Sequence, residues 1–194
     1  MPDPVGGHMP KIAEIEGTPN RNALKFILRE PLTWGVTRSY DNAEQAKDDP
    51  LAAALFEIDH VTNVFYVDRW ITITQDGGAD WQDLARDVAD PIRAAPAADR
   101  QSAATVAAAS TALAGLSPED QERLEIINAL LDEEVRPYLQ NDGGDLHVLS
   151  LEGNKLSVHY QGACGTCPSS ITGTLRGIQN MLRSVEPDLE IVAV

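Results

Sequence analysis

From Ala97 to Ser117, nine of 21 residues are alanine, the only charges are Asp99 and Arg100, and no aromatic side chain occurs. Alanine supports transient helix, but a stretch with so little apolar area has nothing to hold it against a core. Residues 97–116 are therefore expected to form a flexible linker, which divides the chain. Residues 10–96 and 117–194 must each bury a core of their own, and each has the length of one small domain. At the front, Gly7-His8-Met9 reads as the scar of an expression tag joined to a native start, so residues 1–9 are set apart as a tag-like leader.

The 194 residues carry 15 basic and 30 acidic side chains, a formal charge of −15. Both halves share the imbalance: residues 11–96 hold 9 basic against 15 acidic residues, and residues 118–194 hold 5 against 13. Such a surface repels a phosphate backbone, so nucleic acid is not an expected partner. No run approaches the roughly 20 apolar residues that a helical membrane span requires, so no membrane partner is expected either. Two cysteines in a chain of this length do not make a disulfide framework. A reducing compartment is the expected location, either a bacterial-type cytoplasm or an organelle matrix.

The first half reads as strand, turn, strand, helices, hairpin and closing helix. Lys11 to Glu16 alternates as a half-buried strand does, and Ala23 to Leu28 is the second strand. Leu51 to Phe56 favours helix. The β-branched and aromatic runs Val61–Val67 and Trp70–Thr74 flank Asp68-Arg69, the signature of a compact hairpin. From Asp80 to Ile92, Trp81, Leu84 and Val88 recur at helical spacing. No catalytic constellation is visible here; the one histidine of this half, His60, stands beside Asp59.

The second half opens on Ser117-Pro118-Glu119-Asp120, a capping hydroxyl, a first-turn proline and two acids suited to a helix start. Leu124, Ile127, Leu131 and Val135 form one apolar stripe, and Pro137 is expected to end that helix. Asn141 to Asp145 supplies a turn. Two strands follow, joined at Gly153-Asn154; in the second, Leu156, Val158 and Tyr160 alternate with polar residues. A helix from Pro168 to Ser184 and a last strand from Leu189 complete an α+β fold.

Chemistry concentrates in Gly162-Ala163-Cys164-Gly165-Thr166-Cys167-Pro168-Ser169-Ser170, between a strand and a helix. Two thiols three residues apart can chelate one metal, and free N–H groups at a helix start favour thiolate. Gly162 and Gly165 let the backbone approach closely. Cys164 and Cys167 are the metal- and cofactor-binding candidates, and both are expected to sit in an exposed turn. Tetrahedral zinc and cubane iron-sulfur clusters take four ligands, and the chain has no other cysteine. A homodimer formed on cluster binding would supply four thiolates to one shared [4Fe-4S] cluster. Ligand number alone leaves [2Fe-2S] open.

Three segments of the second half, Arg136-Pro137-Tyr138-Leu139-Gln140-Asn141-Asp142-Gly143-Gly144-Asp145, Gly162 to Ser170 and Thr174 to Ile178, closely resemble the NifU C-terminal-like domain. Gly17-Thr18-Pro19-Asn20, Pro50-Leu51-Ala52 and Ala79-Asp80-Trp81 are similar to the N-terminal domain of Nfu-type iron-sulfur carriers. The resemblance implies a carrier, not an enzyme. Such a protein holds [4Fe-4S] on Cys164 and Cys167 of two protomers, takes it from an upstream donor and delivers it to apo iron-sulfur clients. It also implies an N-terminal domain that helps recognise clients.

Two rivals share the motif: a thioredoxin-like dithiol oxidoreductase and a structural zinc site. The first expects βαβ units around the motif and a long sequence after it, and neither is present. His147 and His159, on adjacent strands, read as surface residues, and Asp142 and Asp145 as turn formers.

Overall fold

The computed structural model describes residues 10–98, 117–165 and 168–193. The tag-like leader, residues 99–116 of the expected linker 97–116, and Cys167 lie outside the described residues. The chain divides into two compact units, Met1–Ala107 and Ala108–Val194, and both mix helices with strands, as the α+β reading expects.

The first unit runs β1 (Ile12–Gly17), β2 (Ala23–Leu28), β3 (Arg38–Tyr40), α1 (Ala43–Ala46), α2 (Pro50–Phe56), β4 (Val61–Val67), β5 (Trp70–Gln75) and α3 (Trp81–Ala94). Its antiparallel sheet has the order β1-β2-β5-β4-β3. The hairpin falls where the β-branched runs place it. Val67 pairs with Trp70 across Asp68-Arg69, and Asp68 takes the positive φ of 48° that a two-residue connection demands. Phe26, Ile71 and Ile73 from the sheet and Leu55, Val88 and Ile92 from the helices are buried in one core. β3 was not foreseen: three residues carry no readable alternation, and the strand exists by pairing with the open edge of β4.

The second unit runs α4 (Pro118–Leu130), a π-helical turn (Leu131–Val135), α5 (Arg136–Asn141), β6 (Gly144–Glu152), β7 (Lys155–Gly162), α6 (Pro168–Leu182) and β8 (Glu190–Ala193). Ser117 caps α4, its hydroxyl accepting from the Asp120 amide at 3.1 Å. The expected stripe is realised, with Leu124, Ile127, Leu131 and Val135 all buried.

Pro137 does not end the helix. Its ring would press on the carbonyl four residues back, at Glu133, but Glu133 lies in the wider π turn, and Pro137 then falls in the first turn of α5, where a missing N–H is tolerated. The chain remains helical for four residues beyond Pro137, to Asn141.

β6 and β7 pair antiparallel, and α6 carries the chain over to β8, which lies parallel to β7. Leu146, Val148, Leu156, Val158 and Tyr160 on one sheet face join the helical stripes and Ile178 and Leu182 of α6 in a single core. Of the stripe expected on α6, Ile171 lies among side chains outside those described.

Candidate functional site

The motif begins where β7 ends. Gly162 takes a φ of 65°, a left-handed conformation suited to glycine, and its carbonyl accepts from the Gly165 amide at 3.1 Å. That closes a tight turn presenting Cys164. The Ala163 amide donates to the Gly143 carbonyl at 3.1 Å, fastening the turn to the loop ahead of β6.

Opposite Gly162 in the ladder stands Gly144. A Cβ on Gly144 would lie 2.7 Å from the Cys164 sulfur and 2.6 Å from the Gln161 carbonyl oxygen. Sγ therefore fills the space that any larger residue would take. This corrects the expectation of an exposed turn: Cys164 is only 6% exposed. The close approach expected at Gly165 is present as well, since a Cβ there would sit 2.6 Å from the Tyr160 carbonyl oxygen.

Cys167 precedes Pro168, the first residue of α6, and lies outside the described residues; of the two proposed ligands, Cys164 alone has a described position. Among the described residues no group of three or more His, Cys, Asp or Glu side chains comes together as a metal site.

Tyr160 projects from the core face of β7 and is 5% exposed. Its hydroxyl finds no hydrogen-bond partner among the described residues. Burial first, and the neighbouring Cys164 second, hold this phenol above its ordinary range, so it keeps its proton at neutral pH.

Asp145, next to Gly144, is also buried. It accepts from Arg136 Nη1 at 3.2 Å, Gln140 Nε2 at 3.4 Å and the Leu146 amide at 2.8 Å. Burial pushes its carboxyl above the ordinary value, with Arg136 and the hydrogen bonds opposing. Arg136 also donates to the Leu146 carbonyl at 2.9 Å and pairs through Nε with Asp132. Asp145 thus serves as the internal partner of Arg136, and it lies in β6, paired with Gln161, rather than in the turn expected of it.

His147 and His159 face each other across β6 and β7, on the sheet face away from the core. His147 is held below its ordinary value by burial and then by Arg136, against the pull of Asp145.

The first unit contains a polar cluster that sequence reasoning missed. Asp49 caps α2, accepting from the Leu51 and Ala52 amides at 3.1 Å each. Its other oxygen accepts from Tyr40 at 2.8 Å and from Tyr66, with Arg38 at 3.6 Å. Beside it lies a cleft of about 260 Å³ walled by Leu32, Trp34, Val36, Leu51 and Pro96. The Asp-Pro pair signals the cap; the tyrosines arrive from β3 and β4 through pairing that no local motif announces.

Residues 12–98 match the family model described as "Scaffold protein Nfu/NifU N terminal", and residues 127–193 match "NifU-like domain". A human protein named "NFU1 iron-sulfur cluster scaffold homolog, mitochondrial" is 35% identical over 183 residues, covering 91% of this chain and 69% of its own length. The Drosophila erecta protein of the same name is 33% identical over 202 residues, covering 97% of this chain and 66% of its own length. The chain thus spans just under two thirds of the Drosophila relative's length. The solution structure of a NifU-like protein from Saccharomyces cerevisiae aligns with a TM-score of 0.41 and 22% identity, over 48% of this chain and 84% of that one.

Proposed function

Because the chain belongs to the Nfu/NifU family of iron-sulfur cluster scaffolds, we propose that it carries one [4Fe-4S] cluster between two protomers, on Cys164 and Cys167 of each. The cluster is cargo, received from an upstream donor and passed to apo client proteins. Residues 117–194 form the cluster-binding domain, and residues 10–96 recognise clients. A reducing compartment suits a chain whose cysteines serve as metal ligands, whether cytoplasm or organelle matrix.

The observation that carries the reading is the placement of Cys164. It sits in a turn between β7 and α6, its sulfur seated over Gly144, with the second cysteine three residues on in the sequence. One chain offers two thiolates where a cubane takes four, so a second copy completes the set. Ligands drawn from two separable chains suit hand-over, because two incoming client thiolates can replace one protomer's pair, one thiolate for one, before the second pair is exchanged.

Anaerobic native mass spectrometry after supply of ferrous iron and sulfide tests this directly, since it reads subunit count and cluster mass together. A dimer holding one [4Fe-4S] unit is expected, and Cys164→Ala or Cys167→Ala is expected to retain none. A [2Fe-2S] mass would revise the nuclearity. A metal-free monomer with an oxidised Cys164–Cys167 pair would overturn the reading in favour of dithiol chemistry.

A further inference from the structure

A buried hydroxyl without a partner is costly and uncommon, so each one calls for an explanation. Tyr160 holds such a hydroxyl at 5% exposure, and its place in the ladder says what it faces. Tyr160 pairs with Leu146, and one step along the same core-facing row Gly162 pairs with Gly144. Gly144 has no side chain, and the Cys164 sulfur occupies that gap. The phenol and the sulfur therefore share one face of the sheet, on neighbouring rungs, inside one core cluster, with no hydrogen bond yet joining them in the empty chain.

We infer that the Tyr160 hydroxyl is the hydrogen-bond donor to the Cys164 sulfur in the cluster-loaded protein, a positioning residue that steadies the ligand and sets the electronic character of the cargo. The inference rests on the carrier reading above. A thiolate bound to iron keeps lone pairs that accept hydrogen bonds, and bonds to charged acceptors are stronger than those between neutral groups. Such a donor draws negative charge from the cluster, stabilises its reduced form and raises its reduction potential. In the empty protein the same hydroxyl is a burden to the fold, buried and unpaired. The residue therefore has opposite effects on the two forms, which a purely structural tyrosine would not have.

Full-length protein and its Tyr160→Phe variant, both reconstituted anaerobically with ferrous iron and sulfide, separate the two. The substitution keeps the ring and removes the donor. Expected is equal cluster loading, a more negative reduction potential in the variant, and an Fe–S(Cys) stretch in resonance Raman that moves up and loses its sensitivity to D₂O. The empty variant is expected to melt higher than the empty wild type. Equal potentials and equal Raman spectra in two fully loaded proteins would overturn the inference while leaving the carrier reading intact. A lower melting temperature of the empty variant would overturn it too, by showing that the hydroxyl already has a partner. Failure of the wild type itself to take up a cluster would remove both.

Discussion

Asp49 closes two gaps with one carboxylate. One oxygen caps the first amides of α2, and the other receives the Tyr40 and Tyr66 hydroxyls. Burial alone would push this carboxyl up, but the Tyr66 hydroxyl, the Ala52 amide, Tyr40 and Arg38 together hold it below its ordinary value. A carboxyl lowered by folding contributes stability that is present above its unfolded value, about 3.9, and is lost as pH falls through the lower folded value. All three tryptophans, Trp34, Trp70 and Trp81, belong to the first unit, so their fluorescence reports its unfolding alone. Asp49→Ala is expected to cost about 3 kcal/mol in urea titrations followed this way, from a lost cap and two stranded hydroxyls. Asp49→Asn should flatten the acid limb of the same signal below about pH 4. In the second unit, Gly144→Ala drives a methyl group into the Cys164 sulfur; a cost of about 1–3 kcal/mol and loss of the iron-sulfur absorbance are expected on reconstitution. Cys164 itself was legible from its motif. Its burial was not, because the room for the sulfur is supplied 20 residues earlier in the chain, by a glycine brought opposite only through strand pairing.

Elements written as runs of five or more patterned residues appear close to where the pattern puts them: β2, the β4–β5 hairpin, β7 and α6. Those that depend on a neighbour do not. β3 is a product of the edge of β4, and the passage through Pro137 depends on the π turn ahead of it. That turn also brings Arg136 to Asp145, the ion pair that clips α5 to the start of β6. Arg136→Met leaves Asp145 buried without its cation and is expected to lower the stability of the second unit by about 3 kcal/mol. Adding Asp145→Asn should recover part of that loss, and a double-mutant cycle on thermal melts followed by far-UV circular dichroism measures the coupling. A merely additive pair would show the clip to be of no consequence to the fold.

At the scale of the molecule, each unit has its own core, and the chain is strongly acidic throughout. Removal of residues 10–96 is expected to leave cluster binding unchanged and to slow transfer to some clients; equal transfer rates across a client panel would assign that unit another role. Two protomers with a formal charge of −15 each repel at long range. The loaded dimer should therefore sediment in a larger proportion at 0.5 M than at about 0.05 M salt, where the Debye length is longer. The empty chain should remain a monomer in both.

Neither sheet offers a long, regular edge. β1 is broken by a register shift between Ile12 and Glu14, β6 by another between Val148 and Ser150, β3 has three residues and β8 four. Interrupted edges are poor templates for a strand from another molecule. If the shared cluster is what joins two copies, the strands of the described residues offer no long ladder to keep them together once it has gone. Delivery then acts as its own off-switch: the pair dissolves as the cargo leaves, and each chain returns to the pool ready for another round.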